Sequence, residues 1–213
     1  GSVCFALGPL PAYADAVGGT ADDLTFFVGS LFFTSAALLQ YLETANALPP
    51  GPEPAVRGRV RFLTWEPDRI DWWACSVQLV GTLAFNVSTF SALGRNLDVA
   101  QVDRFVWRPD AVGSICFLVA SGLAWAEVGH RWISWRPHVL SWWIALLNLA
   151  GSVAFGVSAV ASYVTPAGDP RNLQAMNLGT FLGALGFLAG AFLLLPERTS
   201  SVPSVPSVPI TES

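Results

Sequence analysis

The sequence predicts an all-α protein, a polytopic transmembrane bundle of repeated two-helix hairpins. Three observations predict it. First, 53% of the 213 residues are hydrophobic, 12% are charged, and the mean hydropathy is +0.50. A soluble domain carries about 25% charged residues, so this chain cannot cover itself with a solvated surface, and a bilayer is its expected solvent. Second, apolar segments of spanning length follow one another along the chain. Third, WWACSVQLVGTLAFNVS (72–88) returns as WWIALLNLAGSVAFGVS (142–158).

A bilayer core of about 30 Å needs roughly 20 apolar residues of helix. Segments 24–42, 72–93, 110–126, 139–163 and 176–195 meet that need, and none holds an Asp, Glu, Lys or Arg away from its ends. Trp65, Trp72, Trp73, Trp107, Trp132, Trp135, Trp142 and Trp143 gather near the span ends. An indole has an apolar ring and a polar N–H, which suits the headgroup zone.

The organisation follows in order. Residues 1–43 are the first hairpin, 44–60 a Pro/Gly-rich linker that cannot be helical throughout, 61–127 the second hairpin, and 131–197 the third. Residues 198–213 carry a Ser-Val-Pro repeat, where Pro removes donors and favours polyproline II, so a disordered tail is expected.

The second and third hairpins match at a fixed offset without a gap. Arg61, Trp65 and Pro67 match Arg131, Trp135 and Pro137; Gly81, Ala84, Phe85, Val87 and Ser88 match Gly151, Ala154, Phe155, Val157 and Ser158. Gly113, Phe117 and Glu127 match Gly183, Phe187 and Glu197. Shared membrane composition would not hold Arg, Trp, Pro and Glu in register at both ends. In the first unit GSLFF (29–33) aligns with GSICF (113–117), and Gly1 placed on Gly81 sets Cys4-Phe5 on Ala84-Phe85. The expectation is five complete spans plus a truncated first helix, and six spans in an intact protein.

Orientation follows the arginines; all eleven basic residues are Arg, a composition that fits a GC-rich bacterial source. The linkers joining one hairpin to the next hold Arg57, Arg59, Arg61, Arg69, Arg131 and Arg136, and Arg198 follows the last span. The connectors inside hairpins hold Arg95, Arg104, Arg108 and Arg171. The excess places the inter-hairpin linkers and the C-terminus in the cytoplasm of a bacterial plasma membrane.

The leading helix of the second hairpin sets Gln78, Thr82, Phe85 and Ser88 at i, i+4, i+7 spacing on one face, and the third repeats it with Asn148, Ser152, Phe155 and Ser158. An unpaired amide in lipid costs several kcal/mol, so this face is expected to point into protein. It serves either helix packing or a polar solute path lined by Gln78, Thr82, Asn148, Ser152 and Gln40. Gly179, Gly183, Gly186 and Gly190 give two GxxxG spacings, a pattern of close helix approach, expected against a neighbouring hairpin. Glu43, Glu127 and Glu197 recur at the cytoplasmic end of each trailing helix, where they mark the membrane boundary and pair with Arg61, Arg131 or other loop arginines, or ring a portal.

Other chemistry fails on inspection. Glu127-x-x-His130 is a single copy of a motif that needs two plus further Glu. There is no G-x-S-x-G elbow, and a phosphate loop with its Lys cannot exist without a Lys. Cys4, Cys75 and Cys116 are scattered and form no metal or disulfide pattern. A formal charge of −4 does not point to nucleic acid. The expectation is a protein without cofactor, metal or catalytic residues.

The apolar-Gly-Ser-x-x-Phe cadence, in FFVGSLFF (26–33) and AVGSICF (111–117), resembles the YrhK-like domain of bacterial membrane proteins. The third hairpin departs from it, with Gly183-Ala184 replacing Gly-Ser. The resemblance implies small two-helix membrane units of unassigned biochemical function and carries no catalytic residue to transfer. The expected role is a structural or accessory membrane component, packing with itself or a membrane-protein partner, with a channel or carrier for a small neutral or weakly polar solute as the alternative.

Overall fold

The computed structural model describes residues 1–47, 60–94, 96–129 and 135–200, with side chains to 195. Most of the 44–60 linker, Arg131, the side chain of Glu197 and the Ser-Val-Pro repeat lie outside the described residues.

The fold is all-helical. Short α1 (Ser2–Leu7) and α2 (Pro11–Val17) precede the long α3 (Gly19–Ala45). Then come α4 (Ile70–Ala92), a brief α5 (Val99–Gln101) and α6 (Arg108–Gly129). Last are α7 (Leu140–Ala161) and α8 (Leu173–Ser200). The described residues hold no strand, only an isolated bridge between Val164 and Pro170 in the α7–α8 connector.

Among the described residues, four stretches are long and apolar enough to cross a membrane: 19–45, 99–129, 140–161 and 173–195. The second expected span, α4, has the length but is not among them. Gln78 and Asn86 dilute its hydropathy. The third span also begins earlier than the expected 110: the helix runs from Val99 through a π-helical stretch, Val102–Trp107, into α6. Pro109 sits just beyond that stretch. A proline cannot donate to the carbonyl four residues back, and a widened turn accommodates that inside a continuous helix.

Helix starts repeat where the sequence does. Arg69 (φ −105°, ψ 122°) and Val139 (φ −105°, ψ 124°) are the extended residues from which α4 and α7 begin. Each is preceded by a Pro whose carbonyl accepts an indole N–H at 3.0 Å, Trp73 to Pro67 and Trp143 to Pro137.

The long helices and α1 close a ring, in the order α1, α3, α4, α6, α7, α8 and back to α1. Glycines set the closest approaches. A Cβ on Gly81 would lie 2.8 Å from Cys116 Cβ, and one on Gly113 would lie 2.9 Å from the Phe85 ring. Gly151 meets the Gly183 carbonyl at 2.9 Å, and Gly183 meets the Phe155 ring at 2.9 Å. Gly1 and Gly29 are placed likewise, against the Gly29 carbonyl and Phe5. The GxxxG glycines of α8 contact α7, the preceding helix, instead of a neighbouring pair: Gly179 meets Ala154 O, Gly186 meets Leu147 O, and Gly190 meets the Asn148 amide.

The centre of the ring is filled by phenylalanine. Phe5, Phe85 and Phe155 form one triangle, with centroids 6.3, 6.1 and 6.1 Å apart. Phe33, Phe117 and Phe187 form a second, at 6.3, 6.1 and 5.3 Å. The two layers join at 5.3, 5.1 and 5.7 Å through Phe5–Phe33, Phe85–Phe117 and Phe155–Phe187. Edge contacts of this kind add about 0.5–1.5 kcal/mol each beyond burial.

Candidate functional site

Most of the predicted polar face turns inward, and its hydroxyls bridge helices. Ser88 Oγ donates to Val106 O at 2.8 Å, and Ser158 Oγ donates to Met176 O at 2.8 Å. Both bonds reach eighteen residues forward, at positions matched by the repeat. Ser152 is fully buried and shares a 2.6 Å hydrogen bond with Ser121 across the α6–α7 contact. Ser30 does the same with Thr89 at 2.9 Å across α3–α4. Thr82, 1% exposed, turns its hydroxyl to Leu79 O in its own helix. Gln78 and Asn148 are half-buried at matching positions; Asn148 lies against the bare face of Gly190.

Gln40 does not join this face: it is exposed. The buried stripe of α3 runs through Ser30, Ala37, Tyr41 and Ala45, and Gln40 lies about 100° round the helix from Tyr41. A carboxamide one turn from the helix end reaches the interface without entering the bundle.

Near the same end of α3, Glu43 is exposed, as is Glu127 near the end of α6. Arg61 is exposed and lies 4.0 Å from Glu66. Its backbone is clamped by Asn46, which accepts from Arg61 N at 2.8 Å and donates to Arg61 O at 2.9 Å. Arg69, not singled out from sequence, is the better-held cation. It pairs with Asp71 and Glu66 and donates to Thr44 O at 3.2 Å, tying the start of α4 to the end of α3. The hydrogen bonds it donates to Asp71 and then to Glu66 hold its guanidinium charged, above its already high ordinary range.

A cavity of about 640 Å³ opens at the end where the α1–α2 segment and the α7–α8 connector lie. Phe5, Phe85 and Phe155 line it, with Ser88, Ser158 and Thr180 above them. Asp22, Asp23 and Asp110 also reach it, and Asp22 Oδ1 is buried without a hydrogen-bond partner. None of the residues of the expected path, Gln78, Thr82, Asn148, Ser152 and Gln40, lines this vestibule; the hydroxyls of the polar face that reach it are Ser88 and Ser158. No group of three His, Cys, Asp or Glu able to hold a metal occurs among the described residues.

The Phe core and the acidic wall were missed from sequence. A signal for the first existed, since Phe recurs in both helices of each pair: 5 and 33, 85 and 117, 155 and 187. For the second there was none, because carboxylates near span ends look like boundary markers. No protein-family model, curated protein or solved structure matches the chain.

Proposed function

We propose that the chain is a multi-pass membrane protein of structural or accessory role, made of three like hairpins set around an axis that does not conduct. The hairpins are 1–43, 61–127 and 131–197, with α4 as a further span among its more apolar neighbours. The observation that carries this reading is the use to which the polar face is put. Ser88, Ser152 and Ser158 spend their hydroxyls on carbonyls and hydroxyls of adjacent helices, and the axis they surround is occupied by six phenylalanine rings. Interhelical bonds of this kind in membranes are worth about 0.6–2 kcal/mol each, enough to fix register.

The Gly-Ser pairs of the YrhK-like cadence support the same role: Gly29-Ser30 and Gly113-Ser114 are buried where helices meet. A bacterial plasma membrane, a cytoplasmic C-terminus, a membrane-protein or self partner and the lack of an enzymatic reaction belong to this proposal. Proteoliposomes test it: uptake of glycerol, urea and small amino acids should match empty vesicles, and protein-dependent uptake would overturn it.

A second reading, a carrier for a small solute, is favoured by one feature, the vestibule ending on Phe5, Phe85 and Phe155. On that reading Phe85→Ala would open uptake of one solute in the panel.

A further inference from the structure

We infer that the groove between α6 and α7 seats one anionic phospholipid, with an acyl chain against its apolar wall and the phosphate at Arg171. The inference rests on the membrane reading above. A cavity of about 780 Å³ runs along this contact, lined by Ile115, Leu118, Val153, Gly156 and Val160, with Arg171 among its walls.

The groove exists because three large residues are missing. The matched contact, α3 against α4, carries Phe27 and Phe90 with rings 5.6 Å apart. At the corresponding positions α6 and α7 have Ala111 and Val160, and Gly156 replaces Asn86. An added Cβ on Gly156 would meet only the Leu118 side chain, its Cδ1 at 3.0 Å. One contact is filled by protein, and its counterpart leaves room for an apolar chain.

The headgroup end has its own marks. Trp107 donates its indole N–H to Ala159 O at 2.9 Å and packs edge-on against Tyr163, centroids 4.9 Å apart. An aromatic pair of this kind marks the membrane interface. Arg171 is exposed, and its backbone N–H is pinned to Tyr163 O at 2.9 Å. No carboxylate pairs with it among the described residues. A guanidinium at interface depth, at the end of an apolar groove, complements a lipid phosphate.

The test uses the full chain in phosphatidylcholine liposomes doped with phosphatidylglycerol bearing a photoactivatable acyl chain. Adducts should concentrate on α6 and α7 peptides containing Ile115, Val153 or Val160. Ala111→Phe with Val160→Phe, which copies the filled contact, should cut that labelling about tenfold, and Arg171→Gln should remove a preference for phosphatidylglycerol of similar size. Arg171→Gln alters an exposed side chain, so it decides the matter even where the double variant fails to fold. Three outcomes would overturn the seat: labelling spread evenly over lipid-facing helices, labelling indifferent to both variants, or a second copy cross-linked at α6 and α7 in place of lipid. Labelling of other helices without the groove defeats the seat and leaves the membrane reading standing; no labelling anywhere defeats both.

Discussion

At the scale of single residues, the fold depends on atoms that are absent. A side chain on Gly151 would meet the Gly183 carbonyl at 2.9 Å, and backbone cannot step aside as a flexible side chain can. Gly151→Val is therefore expected to destabilise the α7–α8 contact by about 1–3 kcal/mol, the usual range for overpacking. Gly122 has nothing within 4 Å of its missing Cβ, so Gly122→Ala is expected to leave stability unchanged or raise it slightly. Thermal unfolding in detergent, read by circular dichroism, separates the pair; equal melting temperatures would contradict the close-approach argument. Phe117, 1% exposed and touching rings of both layers, should cost about 3–5 kcal/mol as Phe117→Ala. A loss below about 1 kcal/mol would mean the ring cluster is not the core.

At the scale of elements, helix ends are held by separate devices. Arg69 fastens α4 to α3 through Thr44 O and two carboxylates. Charge-assisted hydrogen bonds contribute about 1.5–3 kcal/mol when sheltered and less at this half-exposed site, so Arg69→Ala is expected to cost about 1 kcal/mol. Lowered protection from hydrogen exchange at residues 42–45 and 70–74 would show it, and unchanged protection would refute it. The start of α7 lacks the device, with Val139 where α4 has Arg69, and so should be indifferent to salt.

Elements were the most legible level of the sequence. Lipid offers backbone groups no partner, so a span is a helix or a strand of a closed barrel, and apolar runs of about 20 residues fit the helix. Ser88, Ser152 and Ser158 are buried on the face that their i, i+4, i+7 spacing names. Gln40 was misplaced because it was read alone, whereas Ala37, Tyr41 and Ala45 define the inward stripe of α3. The helix starting at Val99 was hidden by Pro109, which as a sequence signal ends a helix and here is absorbed by a π-helical stretch. The vestibule depends on which helix ends converge, and no local pattern encodes that.

At the scale of the whole molecule, the claim is a ring of helices whose polar edges meet each other around an aromatic centre. Two contacts between side chains carry it: Ser121 with Ser152 across α6–α7, and Ser30 with Thr89 across α3–α4. The most direct test is oxidative cross-linking in intact membranes of a chain lacking Cys4, Cys75 and Cys116 and carrying Ser121→Cys with Ser152→Cys. A disulfide tolerates only short Cβ separations, so the bond reports geometry. The account predicts a rapid intrachain bond that shields both thiols from a lipid-soluble maleimide. Thiols that stay reduced and react freely with that maleimide, or that join only between chains, would place these edges toward lipid and contradict it.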